Sequence, residues 1–194
     1  RGFLCVSREA GDEAEDYLDG MKAGGWPVEM LSADEAASRW PFLDAAMIRY
    51  AYVSADGGVL HCRRIAAGMC EWLTANGADV RTDARVASVE PDVATVVLAS
   101  GERLTGDRIV VTAGAWVLKL FPQLGSSLKT YRTAVTYAEP PADLRAAWAA
   151  APVILDVGGR IDGYIVPPSG EGGLKFGTGM HKWPTDDADA DRSP

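Results

Sequence analysis

An α+β fold is what this sequence predicts, and three observations predict it. Residues 61–75 place Ile65, Met69, Trp72 and Leu73 on one helical stripe, with Arg63, Arg64 and Glu71 elsewhere. Ile109, Val110 and Val111 form a short uninterrupted run of β-branched residues between Asp107 and Gly114, the pattern of a strand covered on both faces. Thr130 to Tyr137 alternates as a half-buried strand does. Helices and strands therefore intermingle along the chain, without internal repeats.

In order, Gly2 to Ser7 is a candidate strand, and Ala14 to Lys22 carries Tyr17, Leu18 and Met21 at helical spacing behind a group of acidic residues that suits a helix N-terminus. Gly24 and Gly25 stop that helix. Val28 to Leu31 reads as a short strand, and Ser32 with Glu35 forms a capping-box pattern that opens a helix ending before Pro41. Met47 to Val53 reads as extended, and 55–58 as a loop. After the helix at 61–75, closed by Asn76 and Gly77, strands are expected at Ala78 to Thr82 and at Arg85 to Glu90. Val93 to Leu98 and Arg103 to Thr105 form a hairpin feeding the apolar run at 109–111. Beyond Trp116, a short helix carries Val117, Leu118 and Leu120. Leu144 to Ala151 is helical, Val153 to Asp156 and Tyr164 to Val166 are extended, and Leu174 to Thr178 returns as a partner strand after a turn at 170–173. The acidic run from Thr185 reads as solvated and mobile.

Composition narrows the function. The 194 residues are 47% hydrophobic and 24% charged, enough apolar material for a core. A formal net charge of -8 argues against nucleic acid or an anionic membrane surface as the main partner, since both need clustered Lys and Arg. No apolar stretch approaches the roughly 18 to 20 residues that cross a bilayer. Three cysteines without Cys-x-x-Cys spacing and two separated histidines suggest neither a disulfide framework nor a metal centre, and fit a reducing cytoplasm. The chain begins with Arg1 inside a strand pattern, so it reads as a section of something longer. Small-molecule chemistry is the expectation.

Ala113, Gly114 and Ala115 put three residues of little or no side chain at the C-terminal end of the apolar run, where open α/β sheets bind ligands and where glycine admits close approach to the main chain. A flat or phosphorylated molecule could lie there. The same small residues also suit a tightly packed strand-to-helix turn.

With the hairpin before it, the segment Thr112 to Trp116 resembles the second FAD-contacting segment of the D-amino-acid oxidase and sarcosine oxidase superfamily. Further pieces recur in the same order: Arg39, Trp40 and Pro41; Gly57 to Leu60; Gly77 to Val80; Arg85 and Val86; Tyr131 and Arg132; and Tyr164 through Gly177. Taken together the chain resembles the central part of a monomeric sarcosine oxidase or N-methyl amino-acid oxidase.

That resemblance implies a substrate domain built on a mixed sheet, formed by residues 1–58 and 130–194, and a part of a Rossmann-like FAD domain, formed by 59–129 and lacking its first βαβ unit. It implies that Val86 meets the adenine end of FAD and that Ala113, Gly114, Ala115 and Trp116 form a later cofactor contact. Tyr164 would face the substrate carboxylate, and Lys175 would lie near the flavin ring and promote reaction with oxygen. On residue chemistry alone, sheet packing is the commoner fate of an aromatic such as Tyr164 and a solvent face that of a lysine such as Lys175. His181 is offset from a histidine of the family and is not assigned a catalytic role. The implied activity is FAD-dependent oxidation of a small amine or amino acid, with oxygen reduced to hydrogen peroxide. The family's Gly-x-Gly-x-x-Gly turn is missing from the sequence, so this chain by itself is expected to hold FAD poorly. A flavin dehydrogenase with another acceptor, and a cofactor-free binding domain, are the alternatives.

Overall fold

The computed structural model describes residues 2–156, 162–169, 172–185 and 187–189. The chain divides into two compact units, Arg1–Leu60 with Thr133–Lys182, and His61–Arg132 with Trp183–Pro194.

The first unit is organised by a seven-stranded sheet in the order β2-β3-β1-β8-β9-β10-β7. Its strands are β1 (Phe3–Ser7), β2 (Glu29–Ser32), β3 (Tyr50–Ser54), β7 (Tyr131–Ala138), β8 (Val153–Asp156), β9 (Gly163–Val166) and β10 (Leu174–Pro184). β1 runs parallel to β8 and antiparallel to β3, so the sheet is mixed. Its helices are α1 (Glu13–Ala23), α2 (Ala33–Arg39) and α5 (Arg145–Ala150).

Side chains alternate between the two faces of a strand, and the register sorts them into two cores. On one face Leu4, Val6, Leu31, Ala51, Ile154 and Leu174 pack with Ala36 of α2 and Trp148 of α5. Phe42 stacks on Trp148 with the rings 9° from parallel. On the other face Cys5 and Tyr52 pack with Ala14 and Leu18 of α1, and Leu155 borders them. Leu4 and Ile154 are 0% and 2% exposed, so each contributes roughly 2 kcal/mol of apolar burial.

Local signals fix the helix ends. The Asp12 carboxylate accepts from the amide of Glu15 to open α1, and Ser32 and Glu35 form the reciprocal capping box that opens α2. The ends of β1 and β8 are tied by Arg8, whose Nε and Nη2 donate to the two oxygens of Asp156 at 2.8 and 2.6 Å. The remaining guanidinium nitrogen donates to the carbonyl of Met47 at 2.8 Å.

The second unit holds α3 (Cys62–Ala75), α4 (Val117–Leu120) and an antiparallel sheet of β4 (Val86–Glu90), β5 (Thr95–Leu98) and β6 (Arg103–Thr105). Several expectations are corrected here. Residues 78–82 and 108–112 are not strands. β-branched residues favour extension, but a strand also needs a partner ladder, and the described residues of this unit form no ladder beside Ile109, Val110 and Val111. Val110 is 85% exposed. The stripe of α3 forms no buried core either, with Ile65, Met69, Trp72 and Leu73 all exposed.

Two further readings change. β7 is almost wholly exposed rather than half-buried, because it is the last strand of its sheet and contributes to neither core cluster. The acidic tail is not simply solvated. Lys119 pairs with Asp187 at 2.5 Å and Asp189 at 2.7 Å, and Trp116 Nε1 donates to Asp189 at 2.8 Å. Among the described residues no helix is long and apolar enough to cross a membrane.

Candidate functional site

The sequence places Tyr164 to Val166 and Leu174 to Thr178 as two extended runs separated by a Pro- and Gly-rich connection, and they pair antiparallel. Lys175 opposes Val166 and Gly177 opposes Tyr164, while Tyr164 opposes Leu155 of β8. Leu155, Tyr164, Lys175 and Gly177 therefore share one sheet face. That face is the one α1 packs on over β1 and β3, and the packed cluster ends at Leu155. Beyond it the face opens into a cleft of about 370 Å³, lined by Thr133, Val135, Leu155, Asp162, Tyr164 and Gly179 among others.

Two glycines shape this cleft. A Cβ at Gly177 would run into the ring of Tyr164, and a Cβ at Gly179 would run into the carboxylate of Asp162. The phenol and the carboxylate thus lean across β10 at positions where no side chain stands in the way. Lys175 extends over the phenol, with its Nζ 5.2 Å from the ring centroid, inside cation–π range. Tyr164 and Lys175 are both half-buried, so the ammonium is neither sealed in the core nor fully in solvent. The carbonyl of Asp162 accepts from the amide of Gly179 at 2.9 Å and from the hydroxyl of Thr178 at 3.2 Å.

In the second unit Ala113, Gly114, Ala115 and Trp116 form the expected small-residue segment, but as a 3₁₀ turn over Gly114–Trp116 leading into α4. Gly114 has φ +54°, a conformation that disfavours a side chain, and a Cβ there would meet nothing within 4 Å. Val86 begins β4, an outer strand of its sheet, and a register shift falls between Val86 and Ser88. Main-chain groups of β4 directed away from β5 have no ladder partner among the described residues. α4 approaches β4, so the two expected cofactor segments lie in the same unit.

The structure thus joins Lys175 to Tyr164, and keeps Ala113 to Trp116 as one segment, half-buried at Ala113 and exposed from Gly114 to Trp116. The side chain of His181 lies outside the described residues. Asp162 and the two glycines that accommodate the cleft's polar groups were not anticipated. Their signals were the dipeptide Asp162, Gly163 at a turn and glycines two apart within one strand, which free one face of that strand.

A bare main-chain shelf with a positive-φ glycine fits the close approach of a dinucleotide. Val86, Ala113, Gly114, Ala115 and Trp116 are residues that could border FAD, along its edge rather than at its pyrophosphate, for which the sequence has no glycine-rich turn.

The monomeric sarcosine oxidase of Bacillus sp. (strain B-0618) is 30% identical over 128 residues, 64% of this chain and 33% of that protein. The glycine oxidase of Geobacillus kaustophilus (strain HTA426) is 27% identical over 172 residues, 86% of this chain and 43% of that protein. This chain spans less than half the length of these curated relatives. The crystal structure of an L-proline dehydrogenase from P. horikoshii superposes with a TM-score of 0.73 at 17% identity, over 96% of this chain and 50% of that one, so the fold is shared. The family described as FAD dependent oxidoreductase (DAO) matches residues 1–194, from the first residue through the sheet, the cleft and the shelf, and the chain belongs to that family.

Proposed function

We propose that this chain forms part of a flavin-dependent amine or amino-acid oxidase, with residues 1–58 and 130–194 forming its substrate domain and 59–129 contributing to its FAD domain. The observation that carries the reading is the Lys175 ammonium laid over the ring of Tyr164, a residue that itself lines an open cleft. The matched sarcosine and glycine oxidases, named for small amino acids, support this substrate class.

Each residue has a defined task in this reading. Tyr164 donates its hydroxyl to a substrate carboxylate, an aimed bond in a cleft with apolar walls. Lys175 holds a fixed positive charge that favours the negative charge developing on dioxygen as it is reduced to hydrogen peroxide. Val86 and Ala113 to Trp116 border the cofactor. FAD, when bound, supplies the two-electron acceptor for oxidation of the carbon next to nitrogen.

The test is a comparison of half-reactions in the flavin-loaded enzyme. Lys175→Met is expected to slow flavin reoxidation by oxygen about a hundredfold, the scale of losing one preorganised electrostatic group, while flavin reduction by substrate stays near its native rate. Equal slowing of both would remove Lys175 from this role. Tyr164→Phe is expected to weaken binding of a carboxylate-bearing amine about tenfold, and unchanged affinity would return Tyr164 to packing. A dehydrogenase passing electrons to another acceptor is the second reading, favoured by the shared fold with an L-proline dehydrogenase. An oxygen rate that is negligible beside that of an artificial acceptor would establish it.

A further inference from the structure

Three polar groups follow one another along the open sheet face. Lys175 reaches over the Tyr164 ring, Tyr164 lies over Gly177, and Asp162 lies over Gly179. The sequence of charges is therefore cation, phenol, anion. Positions 177 and 179 are about 6.6 Å apart along a strand rising ~3.3 Å per residue. A small α-amino acid, extended at each end by a hydrogen bond of about 2.8 Å, spans such a gap.

Asp162 is also held in an unusual way. Its backbone has φ +39°, in the left-handed region that favours glycine. Such a conformation is strained in a non-glycine residue and persists only where its surroundings hold it. Its main-chain carbonyl is fixed by Gly179 and Thr178, while its carboxylate, which has no hydrogen bond or ion pair to another described residue, lines the cleft. The Lys182 chain passes close by, with Cε 3.7 Å from the Cβ position of Gly179, so the local field is not purely acidic. Glycine at 179 is what leaves room for the carboxylate.

We propose that Asp162 is a specificity-determining residue that takes the cationic nitrogen of a zwitterionic ligand whose carboxylate is held by Tyr164. This rests on the carboxylate-binding role given to Tyr164 above, and adds that the cleft selects an amino acid over a plain carboxylic acid. The selection is electrostatic: a lone carboxylate gains the Tyr164 hydroxyl but faces the Asp162 charge, whereas a zwitterion satisfies both.

The experiment titrates the protein with acetate and, separately, with N-methylglycine at constant ionic strength, following amide resonances by NMR. The native protein is expected to prefer N-methylglycine by about tenfold, the scale of one charge-assisted hydrogen bond, with shifts centred on Gly163 and Gly179. Asp162→Asn suits the test because asparagine tolerates the left-handed backbone. It should abolish the preference and leave acetate affinity equal or higher. Gly179→Ala, which displaces the same carboxylate without removing it, should reproduce the selective loss. Acetate binding with no preference for N-methylglycine, or a preference that survives Asp162→Asn, overturns the assignment while leaving Tyr164 in place. Failure of the native protein to bind either compound overturns the carboxylate site and Asp162 with it.

Discussion

Tyr164 and Gly177 oppose each other across the β9–β10 ladder, and the phenol ring occupies the space a side chain at 177 would need. The orientation of the ring is thus set by what its partner lacks. Gly177→Ala is expected to destabilise the protein by about 1 to 3 kcal/mol, the range for forcing an extra methyl into an occupied site. In a Tyr164→Ala background the same substitution should be nearly neutral. Urea denaturation of the four proteins of this cycle measures the coupling. A cost that is the same in both backgrounds would place the strain elsewhere.

Acid sensitivity should centre on Asp12. Burial opposes its charge, but the amides of Arg8, Glu9 and Glu15 and the Ser7 hydroxyl outweigh that and hold the carboxyl below its ordinary value near 3.8. The Arg8 and Glu9 amides donate at 2.8 and 3.3 Å. A depressed folded pKa gives stability that is complete above the ordinary value and lost as pH falls through the folded one. Asp12→Asn keeps a good helix cap, so its cost near neutral pH should be below the ~1 kcal/mol of losing a cap, and its stability should fall less on acidification. Urea midpoints from neutral to strongly acid pH check this, and parallel curves would refute it.

Tyr52 gives the opposite prediction at high pH. Its hydroxyl donates to the carbonyl of Ala14 at 3.0 Å, and burial first, with the hydrogen bond to Cys5 second, pushes its ionisation well above the ordinary 10.0. The stability tied to the neutral phenol is complete below pH 10 and is lost as pH rises above it. Tyr52→Phe should cost about 1 kcal/mol near neutral pH and flatten the alkaline loss. Ultraviolet titration should show one phenol ionising only on unfolding, and its absence would place Tyr52 in contact with solvent.

Much of the fold was legible where one local rule decided the outcome. Ser32 with Glu35, and the helix closed by Asn76 and Gly77, stand where the sequence puts them. The apolar run at 109–111 misled because β-propensity describes fit to a half-buried surface, and whether a ladder exists beside the run is a long-range fact. Met69 and Trp72 show the same limit: their spacing fixes the helix, not what covers it. At the cleft, Tyr164 and Lys175 were each named through family likeness, whereas their contact with each other and Asp162 were passed over. The placement of Asp162 depends on which cross-strand neighbours are glycine, and that needs the β9–β10 register.

The parallel pairing of β1 with β8 has a consequence for the order of assembly. Arg8 and Asp156, bonded at the ends of these strands, are 148 residues apart in sequence. Because β1 sits between β3 and β8, a chain growing from its N-terminus displays one unpaired edge of β1 until the later strand emerges. Such remote pairing raises contact order and slows folding, and an open edge invites joining to other chains. Newly made protein is most exposed to self-association during that interval, and a chaperone shielding the edge of β1 would act at that step.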